Sequence, residues 1–345
     1  MGIKFLTGSE AAVLGATEGG AETMFGYPIT PSTEILQGWI EACEKDKKLK
    51  FLQTEDETAA GFATIGAILA GKKAFTATAG PGNILMQDPL SMAENLRIPL
   101  VCIVMQRGGP STGTVNFSQQ EVTLSAFGGN GDGLRVVYSA STVLEMYKYT
   151  AKSFSTAWKY RFPTFVLGDG HLSKMSAKVN ISPLLHPIPS AALLKEKISP
   201  TFLRNCFSSE ESFYNDRLKK NIEAWNFAKN SIVESEQYKV SGIKSLIIAH
   251  GSVADAVKDA VDTMRKNGIK IGLFRPITLN PFDSTKLKTL ASKVSRIYIV
   301  ESSLNQLSRI VKYELSGIKT PVIEIAKPAV SFTSDEIVRL IKNSK

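Results

Sequence analysis

The sequence predicts an α/β protein of two unequal units. A doubly wound domain occupies residues 1–178 and a smaller α/β domain residues 241–345, joined by an extended and helical connector over 179–240. Three observations predict it. Short apolar strands alternate with helical patterns up to about residue 172, the rhythm of a parallel sheet wound by helices. That rhythm breaks at a run of prolines and a long polar helix, then resumes at Lys244. The openings after three strands carry Thr30, Gly80 and Arg107, and ligands of open α/β sheets bind outside the carboxyl ends of strands.

Residues 9–22 read as the first helix, with Ser9 as N-cap and Ala, Val and Leu at helical spacing. The short N-terminal stretch Gly2-Ile3-Lys4-Phe5 is expected to lead straight into it. Met24-Phe25 is a short buried strand. It opens into Gly26-Tyr27-Pro28-Ile29-Thr30-Pro31-Ser32, where Pro28 and Pro31 hold Tyr27 and Thr30 out of the α region. Thr30 is expected to cap the next helix, with Pro31 at its first position and Ile35, Leu36 and Ile40 on its inner side. Such a start suits an anion. Residues 50–54 form a strand feeding a helix that begins Glu55-Asp56-Glu57. A favourable interaction with the helix dipole accounts for Glu55 and Asp56. Glu57 faces the same way as Gly61 and the small residues beyond, so it is expected to point into the packed layer.

Residues 73–78 are a strand closing in Ala79-Gly80-Pro81-Gly82, whose glycines permit close approach of backbone to a ligand or another subunit. The helix over 86–94 is expected to break at Pro89. Residues 98–105 are a buried strand ending in Gln106-Arg107-Gly108-Gly109-Pro110-Ser111-Thr112-Gly113. Strand 135–138, helix 143–158 and strand 163–167 complete the first domain. The connector carries Pro183, Pro187, Pro189 and Pro200 and one exposed helix within 208–237. Its Leu193, Leu194, Phe202, Phe207, Phe213 and Trp225 mark a segment that wraps over the body or a partner. In the second domain, strands at 244–249, 269–274, 296–300 and 322–325 alternate with helices at 253–267, 287–294, 306–316 and from Ser334.

With 43% hydrophobic and 21% charged residues the composition is that of an ordinary globular protein. No stretch approaches the ~18 uninterrupted apolar residues of a membrane span, and the first residues lack a signal-peptide shape. The expectation is a cytoplasmic protein. The net charge of +9 is spread over short runs such as Lys45-Asp46-Lys47-Lys48 and Arg217-Leu218-Lys219-Lys220. These read as solvated helix faces rather than a nucleic-acid surface. A basic surface also steers an acidic electron carrier or a carboxylate substrate. Cys43, Cys102, Cys206 and His171, His186, His250 are scattered, so neither an iron–sulfur cluster nor another metal site is expected on this chain. There is no GxxxxGK[ST] and no GxGxxG after a strand, which removes P-loop and dinucleotide readings. A serine hydrolase is not expected either, because His250 has no evident nucleophile partner. Gly131-Asp132-Gly133 and Gly168-Asp169-Gly170 lack the paired asparagines of a diphosphate-binding motif and read as turns.

Four ordered blocks carry a more specific signal than any one of them. They are Gly26-Tyr27-Pro28-Ile29-Thr30-Pro31-Ser32, Asp56-Glu57-Thr58-Ala59-Ala60, Phe75-Thr76-Ala77-Thr78-Ala79-Gly80-Pro81-Gly82 and the Arg107 block. With Phe274-Arg275-Pro276 and Val300-Glu301 they resemble the α subunits of 2-oxoacid:ferredoxin oxidoreductases, the pyruvate and 2-oxoglutarate synthase group, over nearly the whole chain. The resemblance implies a thiamine-diphosphate-type, pyrimidine-binding domain followed by a transketolase-C-terminal-like domain. It implies oxidative decarboxylation of a 2-oxoacid with coenzyme A to acyl-CoA and CO2, reducing ferredoxin. By resemblance Glu57 is the catalytic carboxylate beside the cofactor's aminopyrimidine ring, with Ile29 also at the cofactor. Thr30 and Arg107 bind substrate, Arg107 through the oxoacid carboxylate. In this family the diphosphate motif and cluster cysteines lie on other subunits or domains. A β subunit holding diphosphate, magnesium and [4Fe–4S] clusters is therefore expected, with γ and δ subunits and no nucleic acid or membrane as partner. Two other readings stand beside it: a non-redox, transketolase- or decarboxylase-like half-site, and a non-catalytic scaffold. The Arg107 block leans toward the 2-oxoglutarate or branched-chain groups over pyruvate and selects no further.

Overall fold

The computed structural model describes residues 2–182, 188–195 and 207–344. Pro183, His186, Pro187, Pro200, Phe202 and Cys206 lie outside them. The chain opens with a strand, β1 (Gly2–Thr7), which the sequence reading missed, and Thr7 caps α1 (Gly8–Glu18). The cap is reciprocal. Glu10 N–H donates to Thr7 Oγ1 at 3.1 Å and Thr7 N–H donates to Glu10 Oε2 at 2.7 Å. Ser9, expected as the cap, is buried inside the helix and shares a 2.7 Å hydrogen bond with Ser173.

The first domain continues through β2 (Thr23–Gly26), α2 (Thr33–Lys45), β3 (Lys50–Gln53), α3 (Glu57–Leu69), β4 (Ala74–Thr78), α4 (Pro81–Leu85), α5 (Gln87–Asn95), β5 (Val101–Gln106) and α6 (Val122–Phe127). It then runs through β6 (Val136–Ser139), α7 (Val143–Tyr160), β7 (Thr164–Asp169), α8 (Gly170–Lys174) and β8 (Ser176–Ile181). The helix break expected at Pro89 falls at Met86 instead, between α4 and α5. Pro89 lies in the first turn of α5, where its missing N–H has no intrahelical acceptor to lose. After a 3-10 turn at Leu193–Lys195 come α9 (Glu211–Ile232), β9 (Ser235–Tyr238), β10 (Ser245–Ile248), α10 (Gly251–Lys266), β11 (Ile271–Pro276), β12 (Thr278–Asn280) and α11 (Ser284–Ala291). The chain ends in β13 (Arg296–Glu301), α12 (Leu307–Glu314), β14 (Val322–Ala326) and α13 (Ser334–Asn343).

Seven strands form the first sheet in the order β12-β6-β7-β5-β4-β2-β3, and five form the second in the order β14-β13-β10-β11-β9. The pairs are parallel except where β12 joins β6 and β9 joins β11. β1 and β8 pair antiparallel as a separate ribbon. This is the doubly wound architecture expected. The central strand β5 shows why its apolar run is continuous. Val101, Ile103 and Met105 face the core under α1, α2 and α7, while Cys102 and Val104 face the core under α3 and α5. A strand buried on both faces has no polar alternation. The second of these cores runs on through Leu246, Ile248 and Phe274, so the two sheets share an apolar interior.

Gly168-Asp169-Gly170 is not a turn. Asp169 ends β7 and caps α8, accepting from His171 N–H at 3.0 Å, Leu172 N–H at 2.8 Å and Ser252 Oγ at 2.6 Å. Among the described residues no helix is long and apolar enough to cross a membrane.

Candidate functional site

Because β2, β3, β4 and β5 are neighbours and parallel, the loops leaving their carboxyl ends meet at one edge of the sheet. After β3, Thr54 N–H donates to the Gly26 carbonyl at 3.0 Å, which ties this exit to the end of β2. Asp56 caps α3 by accepting from Ala59 N–H at 2.7 Å, a contact worth about 1 kcal/mol. That leaves Glu57 as the first helical residue, only 4% exposed, with Oε1 buried and without a protein partner.

Glu57 faces the glycine turn after β4. A Cβ built on Gly82 would lie 2.2 Å from Glu57 Oε1 and 2.2 Å from Thr78 Oγ1, a second buried oxygen without a partner. Only glycine keeps both oxygens where they are. Gly80, at φ +53°, would place a Cβ 2.5 Å from Arg107 Nε. The small residues of α3 divide their roles: Gly61 lets the helix close onto Pro89, whereas Gly66 opens onto free space.

Arg107 leaves β5 and is 5% exposed. Its Nη1 donates to the Thr30 carbonyl at 2.8 Å and its Nη2 to the Thr112 carbonyl at 3.2 Å, while Nε is buried without a partner. Thr30 and Arg107 are thus brought together, through the Thr30 backbone. Thr30 does not cap a helix, contrary to the sequence expectation. Ser32 N–H and Oγ both donate to the Ile29 carbonyl at 2.8 Å, closing a turn, and α2 begins only at Thr33 with Ser32 as a cap that makes no side-chain bond. The turn is pinned from below by Ser173 Oγ, which donates to the Pro31 carbonyl at 3.0 Å. Ile29 and Thr30 are half-buried in it, and Tyr27, Leu52, Phe62, Ile84 and Leu85 are exposed around the mouth.

Burial pushes the Glu57 carboxyl above its ordinary value; Asp56 adds to the shift and Arg107 opposes it. A second acid, Glu121, escaped the sequence reading. It is 5% exposed, neither carboxylate oxygen has a partner, and burial pushes it up to about 8 against the Gly80 amide and Arg107. The one available signal was its place on the segment that follows the Arg107 loop. Gln119 and Gln120 were missed as well. Gln120 Oε1 accepts from Gly109 N–H at 3.1 Å and Ser118 Oγ at 3.0 Å. Gln119 is gripped by the second domain: its Nε2 donates to the His250 carbonyl at 2.8 Å and its Oε1 accepts from Ser302 N–H at 3.0 Å. The strand ends β10 and β13 therefore hold the far end of the loop that begins at Arg107.

Chemically, the corner offers a buried carboxylate with a raised proton affinity, a guanidinium fixed by two carbonyls, and unpartnered oxygens facing a glycine floor. Residues 14–201 match the family model for the thiamine-diphosphate-binding region of pyruvate flavodoxin/ferredoxin oxidoreductases, and residues 244–329 the model for pyruvate:ferredoxin oxidoreductase core domain II. The chain is 32% identical over 324 residues to ketoisovalerate oxidoreductase subunit VorB of Methanothermobacter marburgensis, covering 90% of each. It is 32% identical over 336 residues to 2-oxoglutarate synthase subunit KorA of Methanocaldococcus jannaschii, covering 89% of this chain and 90% of that one. Among solved structures it resembles the 2-oxoglutarate:ferredoxin oxidoreductase of Magnetococcus marinus, determined with 2-oxoglutarate, coenzyme A and succinyl-CoA, at TM-score 0.89 and 26% identity. The likeness covers 99% of this chain and 65% of that longer one. A split-gene transketolase in an inactive β4 tetramer shares the fold at TM-score 0.63 and 12% identity.

Proposed function

The chain belongs to the 2-oxoacid:ferredoxin oxidoreductase family, and from that premise we propose that it is the α-type subunit of a thiamine-diphosphate-dependent enzyme. The enzyme decarboxylates a 2-oxoacid oxidatively, passing the acyl group to coenzyme A and electrons to ferredoxin. The observation that carries this reading is the Glu57 carboxylate, buried and unpartnered at Oε1 above the bare backbone of Gly82. An aminopyrimidine ring needs a carboxyl at a ring nitrogen and a flat approach beside it. Glu57 Oε1, Thr78 Oγ1 and the glycine turn offer both.

When bound, thiamine diphosphate supplies the electron sink for decarboxylation. Glu57 holds and returns a proton at Oε1, and burial raises its proton affinity toward the working pH. Ile29 lines the cofactor side of the turn. Arg107 orients the substrate carboxylate by a charge-assisted hydrogen bond, with the Thr30 hydroxyl beside it. The diphosphate with its magnesium and the [4Fe–4S] clusters are assigned to a β-type partner, and the coenzyme A region to a γ-type chain, with a δ chain completing the complex. Two features support partner chains: the exposed apolar rim of Leu52, Phe62, Ile84 and Leu85, and the relatives named as subunits. Coenzyme A and ferredoxin as co-substrates point to the cytoplasm.

The test is reconstitution with the partner chains. Coenzyme-A-dependent reduction of ferredoxin is measured over pyruvate, 2-oxoglutarate and branched-chain 2-oxoacids. Glu57→Gln should lower turnover by roughly 10²–10⁴. Unchanged turnover would remove Glu57 from the chemistry, and decarboxylation independent of both acceptors would favour a non-redox half-site.

A further inference from the structure

Resting on the reading of Arg107 as the carboxylate-binding group, we propose that Glu121 is a positioning residue of the same site: an unpaired buried carboxyl that sets how much of the Arg107 charge reaches the substrate. The geometry carries the proposal. Glu121 stands where the Arg107 loop returns to start α6, and its N–H donates to Gln106 Oε1 at 3.3 Å. Both carboxylate oxygens are buried without a hydrogen-bond partner, and so is Arg107 Nε. Among the described residues no ion pair joins Glu121 to Arg107, although the Arg107 charge acts on the Glu121 carboxyl. Buried opposite charges packed side by side normally pair. An acid that leaves a neighbouring guanidinium unpaired behaves as a neutral group beside a cation kept for another anion.

The groups facing Glu121 agree with this. Arg107 and the Gly80 N–H, which approaches the carboxylate without a well-aligned hydrogen bond, favour its ionisation, and burial outweighs them. Among the described residues packed around it, the Cys102 thiol on β5 is the other titratable group that senses its charge, and Cys102 is itself deeply buried and neutral. The Arg107 charge also acts on Glu57, so the same guanidinium influences both buried acids. At neutral pH Glu121 is protonated, and Arg107 presents its charge to the substrate. As pH rises through about 8, Glu121 ionises, partly neutralises Arg107 and repels the incoming carboxylate.

The experiment uses the assembled complex at saturating coenzyme A. KM and kcat for the 2-oxoacid are measured from about pH 6.5 to 9.5 for the natural chain and for Glu121→Gln. KM of the natural complex is expected to rise roughly tenfold between about pH 7 and 9, with kcat much less affected; one pK unit of interaction between proton and substrate is a factor of ten. Glu121→Gln should keep the low KM throughout. Glu121→Met fills a similar volume without charge and must give the same flat profile, which covers failure of the glutamine variant to assemble. An alkaline rise that persists in the variants, or is missing from the natural complex, overturns the proposal. Arg107→Lys separates the two layers of argument. If it leaves KM unchanged, the substrate reading itself fails; if it raises KM while the Glu121 variants keep the natural profile, only the role of Glu121 fails.

Discussion

The Gln119 side chain bridges the two domains, donating from Nε2 to the His250 carbonyl at 2.8 Å while its Oε1 accepts from Ser302 N–H at 3.0 Å. Its own N–H adds a 3.1 Å bond to the Ser302 carbonyl. The return leg of the Arg107 loop is thereby fixed to the ends of β10 and β13. Gln119→Ala leaves one buried donor and one buried acceptor unsatisfied and should cost about 1–3 kcal/mol of stability. The looser loop should raise KM for the oxoacid more than it lowers kcat. Denaturant unfolding of the chain and steady-state kinetics of the complex check the two halves. Unaltered KM would mean that the second domain does not steer Arg107.

His250 makes the same junction sensitive to acid. Its Nδ1 is 2.9 Å from Ser139 Oγ, and Nε2 is buried without a partner. Burial, and then the charge of Arg275, lower its pKa from 6.5 to about 3. The folded chain therefore binds this proton less readily than the unfolded chain. Its contribution to stability is complete above pH 6.5 and is lost as pH falls from 6.5 toward about 3. His250→Asn removes that term, so the difference in unfolding free energy between the two proteins should change by a few kcal/mol at most across the window. A difference independent of pH would show that the ring is not buried neutral.

Gly82, against Glu57, and Gly66, away from it on α3, give a matched pair. A methyl at Gly82 meets Glu57 Oε1 and Thr78 Oγ1 at 2.2 Å each, whereas a methyl at Gly66 meets nothing within 4 Å. Gly82→Ala should displace Glu57, lower thiamine diphosphate affinity by roughly tenfold or more and cost about 1–3 kcal/mol. Gly66→Ala should stabilise the purified chain by about 0.5–1 kcal/mol, since the residue is inside α3. Thermal melts and cofactor titration read both. Equal cofactor affinity in Gly82→Ala and the natural protein would remove the glycine floor from the site.

The legible parts of this fold are those written in local pattern. Val101 to Met105 is a continuous apolar run because both faces of β5 are covered. Thr30, Glu57 and Arg107 stood out because each follows a recognisable strand. The illegible parts depend on distant partners. β1 pairs with β8 more than 160 residues away and exposes Ile3 and Phe5, so it carries no burial signal. β9 reads Ser-Glu-Gln-Tyr and joins an edge antiparallel, which asks little of its composition. The start of α2 shifted from Thr30 to Ser32 because a turn closed by Ser32 comes first. Glu121 and Gln119 lie in polar sequence, and their partners are distant in it: the second domain holds Gln119, and Glu121 sits by the Gly80 turn.

Arg107 provides the sharpest division between binding and chemistry. Its two terminal nitrogens are held by the Thr30 and Thr112 carbonyls at 2.8 and 3.2 Å, which fix the plane of the guanidinium without neutralising it. A lysine keeps the charge but has one nitrogen, so it cannot satisfy both carbonyls and also meet a carboxylate in a fixed orientation. Arg107→Lys should therefore raise KM for the oxoacid by roughly 10- to 100-fold, or about 1.4–2.8 kcal/mol, with a smaller fall in kcat. Arg107→Ala leaves the Thr30 and Thr112 carbonyls without their donor and should add a stability loss that the lysine variant largely avoids. Steady-state kinetics on the assembled complex, paired with melts of the same variants, separate the two effects. If kcat collapses in both variants while KM stays put, Arg107 acts on the reacting centre rather than on the substrate carboxylate.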